Sequence, residues 1–290
     1  MRTLGRTGLH VSAVGLGAGA LGDAALSDKE AERLLLGALE LGVNLFDTAP
    51  SYGASEERIG RILGPRSQDV VLSTKGGYGV PGVPDWTGEG IAAGIEQAMR
   101  RLRTEVLDLF HLHSCPLEVL RREEILEALA RAVREGKIRA AGYSGENEAL
   151  SFAVDSGRFA VVQTSVNLCD QRGLDGLVPR AGERGLGILA KRPLANAVWR
   201  DDRPGDDASR AYRHRLEVMR LDPAPYPWDA LALRFAAHAP GVTAILVGTR
   251  SLERLRRAVD VVAEGPLPEA RVEALRARFR ACDAGWEGQV

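Results

Sequence analysis

In the stretch IRAAGYSGENEALSFAVDSGRFAVVQTSV, residues 138–166, a short apolar run at 138–144 gives way to helical spacing at 146–156. A second run rich in β-branched residues follows at 161–166. Strand, helix and strand in that order make a βαβ unit whose two strands run parallel. The same alternation extends in both directions. Apolar, β-branched runs at 14–16, 44–48, 70–75, 106–113, 187–191 and 244–247 complete a set of eight predicted strands. Helical spacing recurs between them at 55–63, 89–102, 122–135, 174–184, 228–238 and 251–262. Ser27-Asp28-Lys29-Glu30 is a capping box ahead of Leu34, Leu35, Ala38 and Leu39, which share one helix face. Eight such units without a Pro/Gly linker between halves predict an α/β fold, a closed (β/α)8 TIM barrel, as a single domain over 1–290. A short N-terminal β-hairpin around Arg6-Thr7-Gly8 is expected ahead of it, and an extra C-terminal helix over 269–282 outside it. The polar, Pro- and Asp-rich stretch 196–227, with a mildly biased run at 201–208, reads as a long functional or mobile loop.

Composition narrows the class. The chain has 290 residues, 45% hydrophobic and 27% charged, with a formal net charge of −1. That is enough apolar material for a sizeable core, and no basic excess recommends nucleic acid or an anionic membrane as a partner. The arginine-rich segments 100–103 and 254–257 have the spacing of helix faces. Cys115, Cys169 and Cys282 match neither a zinc spacing nor a disulfide framework, as expected of a reducing compartment. The opening residues have no long apolar core, and no stretch approaches the roughly 20 apolar residues of a membrane span. The expectation is a cytoplasmic protein without a metal.

Gly17-Ala18-Gly19-Ala20-Leu21-Gly22 satisfies the dinucleotide fingerprint G-x-G-x-x-G behind a predicted strand. In a Rossmann unit the helix opens within the glycines. Here Asp23-Ala24-Ala25-Leu26 intervenes before the cap at Ser27, so a glycine loop at the barrel mouth is the better account.

In a barrel of this kind the active site lies at the C-terminal ends of the strands. Those ends carry Asp47, Lys75 and His113, and Tyr52 follows Asp47 in the next loop. A carboxylate, an ammonium, an imidazole and a phenol converging from three successive strands suit proton transfer. A phenol's ordinary pKa of about 10 is too high for efficient work at neutral pH, and a neighbouring ammonium favours the phenolate. Asp47 is expected to pair with Lys75 and hold it. His113 is expected to orient a carbonyl oxygen or relay a proton. His111, two residues earlier on the same strand face, reads as a core histidine. Taken singly, Asp47 and Lys75 also suit a structural ion pair, and Tyr52 a packed loop aromatic. Tyr78, Trp86, Trp199, Tyr226 and Trp228 fall in loops after the third and seventh predicted strands, where they suit either pocket lining or loop packing.

The segments NLFDTAPSYG (44–53), VVLSTKGG (70–77) and LDLFHLHS (107–114) resemble, in order and separation, three signature regions of the aldo-keto reductases. The opening MRTLGRTGLHVSAVGLG and the later GILAKRPL and ILVGTRSLERL are also similar to that family, so the resemblance covers essentially the whole chain. It implies a barrel that binds NADPH, or NADH, without a Rossmann fold and reduces a small-molecule carbonyl: an aldehyde, ketone or sugar. It implies Tyr52 as general acid, Lys75 and Asp47 as the groups that tune it, and His113 as the residue positioning substrate. Cofactor contacts implied are Gly17, Asp47, Ser144, Gln163, Lys191, Arg192, Gly248, Thr249, Arg250 and Arg254. Ser144 and Gln163 match the residues that hold the carboxamide, while Gly248, Thr249, Arg250 and Arg254 match the segment around the adenosine phosphates. Arg250 and Arg254 suit a 2′-phosphate and so favour NADPH.

Departures from the family pattern are local. Gly145 replaces an Asn, and Arg257 and Ala258 replace an adenine-side Glu and Asn. Lys191 stands where an aromatic usually stacks on the nicotinamide. A free cation there would disfavour the positively charged oxidised ring and bias the protein toward reduction; a Lys191 that instead swings to the pyrophosphate would treat both forms alike. Two other functions share these residues: a Schiff-base lyase or isomerase using Lys75, and a cofactor-sensing binding subunit.

Overall fold

Eight parallel strands close into a barrel in a computed structural model that describes residues 1–200 and 205–290. Strands β1 (Arg2–Thr3) and β2 (His10–Val11) form an antiparallel hairpin ahead of it. The staves are β3 (Val14–Gly17), β4 (Leu45–Asp47), β5 (Val71–Gly76), β6 (Leu107–His113), β7 (Ile138–Ser144), β8 (Val161–Ser165), β9 (Gly187–Lys191) and β10 (Ala244–Gly248). β10 pairs with both β9 and β3, which closes the ring.

Side chains two apart on a strand share a face, and this rule builds the interior. Leu45, Val71, Leu109, Ala140, Val161 and Leu189 form an apolar lower layer, sealed from below by Leu4, Leu9 and Val11 around the hairpin. The next residues on the same rows are Asp47, Ser73, His111, Gly142 and Gln163, and above them stand Lys75, His113, Ser144 and Ser165. The interior thus turns from apolar to polar toward the C-terminal mouth. The intervening residues, such as Phe46, Leu72, Phe110 and Val162, face outward into the core shared with the helices.

The helices follow the predicted spacing closely. α1 (Asp28–Glu40) begins at Ser27 with both halves of the capping box formed, and α2 (Ser55–Leu63) and α3 (Gly88–Leu102) come next. α4 (Leu117–Leu120), α5 (Glu123–Arg134), α6 (Asn147–Asp155) and α7 (Leu177–Glu183) continue around the barrel. Because α1 opens at Ser27, no α-helix N-terminus lies within the glycines of 17–22, which hold only a short 3-10 turn over Ala18–Gly22. Gly22 serves a packing need instead. A Cβ there would lie 1.6 Å from the Tyr52 carbonyl oxygen, so only glycine lets this loop rest on the loop carrying Tyr52.

The reading of 196–227 as an extended loop needs correction over much of its length. A helix, α8 (Asp207–Met219), starts at Asp206, whose side chain accepts from the Ser209 amide. Its buried face is Ala208, Tyr212, Arg215 and Met219, a helical repeat obscured in the sequence by the arginine. Residues 201–204, half of the run 201–208, lie outside the described residues. The chain continues through α9 (Trp228–Ala237), α10 (Leu252–Ala263) and the expected final helix α11 (Glu269–Cys282). Among the described residues no helix is long and apolar enough to cross a membrane.

Candidate active site

The mouth of the barrel is organised around one buried ion pair. Lys75 Nζ lies 2.6 Å from Asp47 Oδ2 and also donates to the Thr48 carbonyl at 2.8 Å. Asp47 Oδ1 accepts from Ser73 Oγ at 2.7 Å and Gln163 Nε2 at 2.9 Å, so donors from two other strands, β5 and β8, converge on one carboxylate. Burial pulls the Lys75 ammonium toward neutrality, but the Asp47 charge and hydrogen bond, together with the neighbouring Tyr52 and Tyr78, outweigh it and hold its pKa above the ordinary lysine value. Burial likewise pushes the Asp47 carboxyl up, and Lys75, with His111 and the Ser73 hydrogen bond, more than reverses this. Both groups are therefore charged at neutral pH.

Tyr52 lies across this pair, with Lys75 Nζ 5.2 Å from its ring centroid. Its loop is fixed locally. Tyr52 N donates to Ala49 O at 3.0 Å and Ser55 N to Tyr52 O at 3.0 Å, while Ser55 Oγ reaches across to Ala18 O at 2.9 Å. Among the described residues the Tyr52 hydroxyl makes no hydrogen bond, and the residue lines an open cavity of about 690 Å³.

His113 lines the same cavity, edge-on to Tyr52 with ring centroids 6.1 Å apart. Burial, with the nearby Lys75 charge, pulls its pKa down to about 3, so the imidazole is neutral at physiological pH. His111 sits one layer deeper, as expected of a core histidine. It is fully buried, burial pulls its pKa to about 4, and neither ring nitrogen has a hydrogen-bond partner among the described residues. Gly142 makes room for it, since a Cβ there would lie 2.2 Å from His111 Nδ1.

The cavity gathers most of the residues expected at a cofactor. Gly17, Asp47, Ser144, Gln163, Lys191, Arg192 and Gly248 all line it. Ser144 Oγ donates to Gln163 Oε1 at 2.9 Å, which leaves lone pairs on both oxygens for an incoming amide. Thr249, Arg250 and Arg254 stand outside the lining. Thr249 Oγ1 accepts from the Ser251 amide at 3.0 Å, Arg250 pairs with Asp23 at 2.9 Å, and Arg254 is exposed in the first turn of α10.

Lys191 differs from the free cation considered above. Its Nζ lies 3.2 Å from Glu146 Oε1, and Glu146 also accepts from Thr164 Oγ1 at 2.6 Å and from Ser165 N and Oγ, each at 2.9 Å. Burial lowers the Lys191 pKa while Glu146 opposes the shift. Glu146 was invisible as a site residue because it reads as the start of a helix; its only signal is its place just past the strand end at Ser144. The C-terminal segment was also unforeseen. Arg192 donates to the carbonyls of Gln289 and Val290, Asn147 exchanges two hydrogen bonds with Gly288, and Val290 reaches the cavity wall.

The loop aromatics take the packing reading, and none of the five is among the residues that line the cavity. Tyr78 stacks on His113 and Trp86 packs on Tyr78, with Tyr78–Trp86 centroids 5.8 Å apart. Trp199 and Trp228 stack at 5.4 Å and join Tyr226 in a separate apolar cluster with Leu231 and Phe235, away from the cavity lining.

The closed barrel and its polar mouth leave the class of protein to comparison with known proteins, which places it among oxidoreductases. The sequence model of the aldo/keto reductase family matches residues 13–278, and the chain belongs to that family. It is 29% identical over 284 residues to L-galactose dehydrogenase of Arabidopsis thaliana, covering 91% of this chain and 88% of that protein. It is 27% identical to D-threo-aldose 1-dehydrogenase of a Pseudomonas species, covering 83% and 86% of the two chains. The holo form of aldo-keto reductase AKR11C1 from Bacillus halodurans superposes with a TM-score of 0.81 at 25% identity, covering 96% of this chain and 95% of that one. Aldo-keto reductases use nicotinamide cofactors, and the amide acceptors at Ser144 and Gln163 and the cations at Lys191 and Arg192 fit such a group.

Proposed function

We propose that this protein is an NADPH-dependent reductase of a small aldehyde, ketone or sugar, with Tyr52 as general acid. The observation that carries the reading is the unengaged Tyr52 hydroxyl in the same cavity as neutral His113, above the charged Lys75–Asp47 pair. The bound cofactor supplies a hydride to the carbonyl carbon. The chain supplies the rest. Tyr52 delivers a proton to the carbonyl oxygen, Lys75 stabilises the phenolate left behind, and Asp47 keeps Lys75 charged and in place. His113 orients the oxygen. Ser144 and Gln163 hold the carboxamide, and Gly17, Lys191, Arg192, Gly248 and Thr249 form the rest of the cradle. Sugars head the list of substrates because relatives named for L-galactose and D-threo-aldose share nearly the full chain. Following absorbance of NADPH and NADH against a panel of sugars, aldehydes and ketones tests the proposal; no turnover of either cofactor with any class contradicts it.

The cofactor preference rests on Arg254, whose guanidinium is exposed and unpaired among the described residues, with Arg250 beside it. Planar guanidinium groups suit phosphate oxygens. Arg254→Ala is expected to weaken NADPH binding by about tenfold, the scale of one charge-assisted hydrogen bond, and to leave NADH unchanged. Titration of both reduced cofactors reads this out, and equal losses for the two remove Arg254 from the 2′-phosphate.

Lys191 and Glu146 together form a neutral pair, so the wild-type protein is expected to bind NADPH and NADP⁺ with similar affinity. Lys191→Met leaves a carboxylate that favours the positive oxidised ring, and Glu146→Gln leaves a cation that disfavours it. The ratio of the two dissociation constants should therefore move in opposite directions in the two variants. A ratio unmoved in both places the pair away from the nicotinamide.

A further inference from the structure

Tyr78 lies three residues beyond Lys75, and the proton transfer proposed above makes no use of it. Its hydroxyl oxygen is 2.5 Å from His113 Nδ1 and 3.0 Å from Ser51 Oγ. Its ring is stacked on the imidazole, with centroids 5.7 Å apart and planes at 29°. The backbone holds it there: Trp86 N donates to Gly77 O at 2.6 Å, and the Trp86 ring covers Gly77 so closely that a Cβ would lie 2.0 Å from it.

We propose that Tyr78 is a positioning residue that fixes His113 as its Nε2–H tautomer, so that the imidazole donates a hydrogen bond to the carbonyl oxygen that Tyr52 protonates. The proposal rests on the assignment of Tyr52 as general acid.

A neutral imidazole carries one N–H and one bare nitrogen, and only the first can donate to a carbonyl oxygen. His113 is held neutral, so its usefulness depends on which nitrogen bears the proton. Nδ1 is engaged by Tyr78. Two arrangements satisfy that contact: the phenol donates to a bare Nδ1, or Nδ1–H donates to the phenol oxygen while the phenol donates to Ser51. The chemistry favours the first. A phenol is a far stronger donor than a serine hydroxyl, and a bare imidazole nitrogen is a better acceptor than a phenol oxygen. Burial raises the Tyr78 pKa, so its proton is present at neutral pH. Ser51 is exposed, and its hydroxyl is free to turn and donate to Tyr78 instead of accepting. With Nδ1 committed, the proton resides on Nε2, the nitrogen left for the cavity that His113 lines with Tyr52. Lys75, Asp47, Lys191 and His111 also act on His113, but through charge, which sets how readily the ring protonates and not which nitrogen carries its proton.

The test is ¹⁵N NMR of protein labelled in histidine, with His113 assigned by its loss in His113→Gln. The expected wild-type pattern is a bare Nδ1 and a protonated Nε2. Tyr78→Phe keeps the stacked ring and deletes only the hydroxyl; it should give a mixture of tautomers. It should also lower kcat on the order of tenfold to a hundredfold, less than the roughly 10²–10³-fold of losing a preorganised donor outright because part of the population keeps Nε2–H, with NADPH affinity unchanged. Ser51→Ala should keep the Nε2–H pattern. A wild-type Nδ1–H tautomer, or a Tyr78→Phe protein with wild-type tautomer pattern and kcat, overturns the proposal. The tautomer is read without turnover, so failure of the Tyr52 assignment in an activity assay remains a separate result.

Discussion

Replacing Tyr52 with phenylalanine is expected to lower kcat for carbonyl reduction by about 10²–10⁴-fold, the usual contribution of a general acid, while NADPH binds as before. The asymmetry follows from the site. The hydroxyl makes no hydrogen bond among the described residues, so removing it breaks nothing in the resting protein. The aromatic ring over Lys75 is retained in the variant, which keeps the loop and the ion pair in place. What is lost is an interaction made with the reacting oxygen, and such losses fall on kcat more than on binding. Steady-state kinetics together with cofactor titration check this; a variant keeping more than about a tenth of wild-type turnover, against the range above, removes Tyr52 from the role.

The second large effect belongs to Lys75. Lys75→Met is expected to abolish turnover and to destabilise the fold by about 3–5 kcal/mol, because it leaves the Asp47 carboxylate buried and uncompensated. Asp47→Asn in the same chain should restore most of the stability, since Ser73 and Gln163 can still bond a neutral amide after adjusting their donors, and should restore none of the activity. Denaturant midpoints for both single variants and the double variant measure the coupling. Additive losses, with no recovery in the double variant, would mean that the pair is not the electrostatic unit described here. The same pair bears on Schiff-base chemistry, which needs an uncharged lysine. Lys75 is instead held protonated by a carboxylate 2.6 Å away.

The strands and the polar residues of the candidate site were legible because both depend on local rules. Period-two alternation carries Leu45 to Asp47, Val71 to Lys75 and Leu109 to His113 along the inner rows, and the strand ends then fix which polar residues meet. Helix α8 was hidden because its buried face includes Arg215, which reaches Cys169 O at 3.1 Å and stacks over Trp286 at 5.4 Å. An arginine in that position reads as solvent-facing, and the neighbouring prolines and aspartates suggested a loop. The Lys191–Glu146 pair was illegible for a different reason. Its partners lie on separate βα units and meet only through the register of β8 with β9, where Ser165 stands opposite Lys191. The tail contact at Arg192 is likewise a long-range packing result, since residues 192 and 289 are joined by no sequence pattern.

In the proposed reaction a hydride passes directly to a carbonyl carbon in the cavity shared by Tyr52 and His113. Reduced cofactor carrying deuterium at both C4 positions of the nicotinamide, turned over with a reactive sugar or aldehyde and followed by mass spectrometry, tests it most directly. The predicted result is an alcohol with deuterium on the former carbonyl carbon, formed at normal rate by wild type and at trace level by Tyr52→Phe. An alcohol without deuterium, or substrate trapped on Lys75 by borohydride, would contradict it.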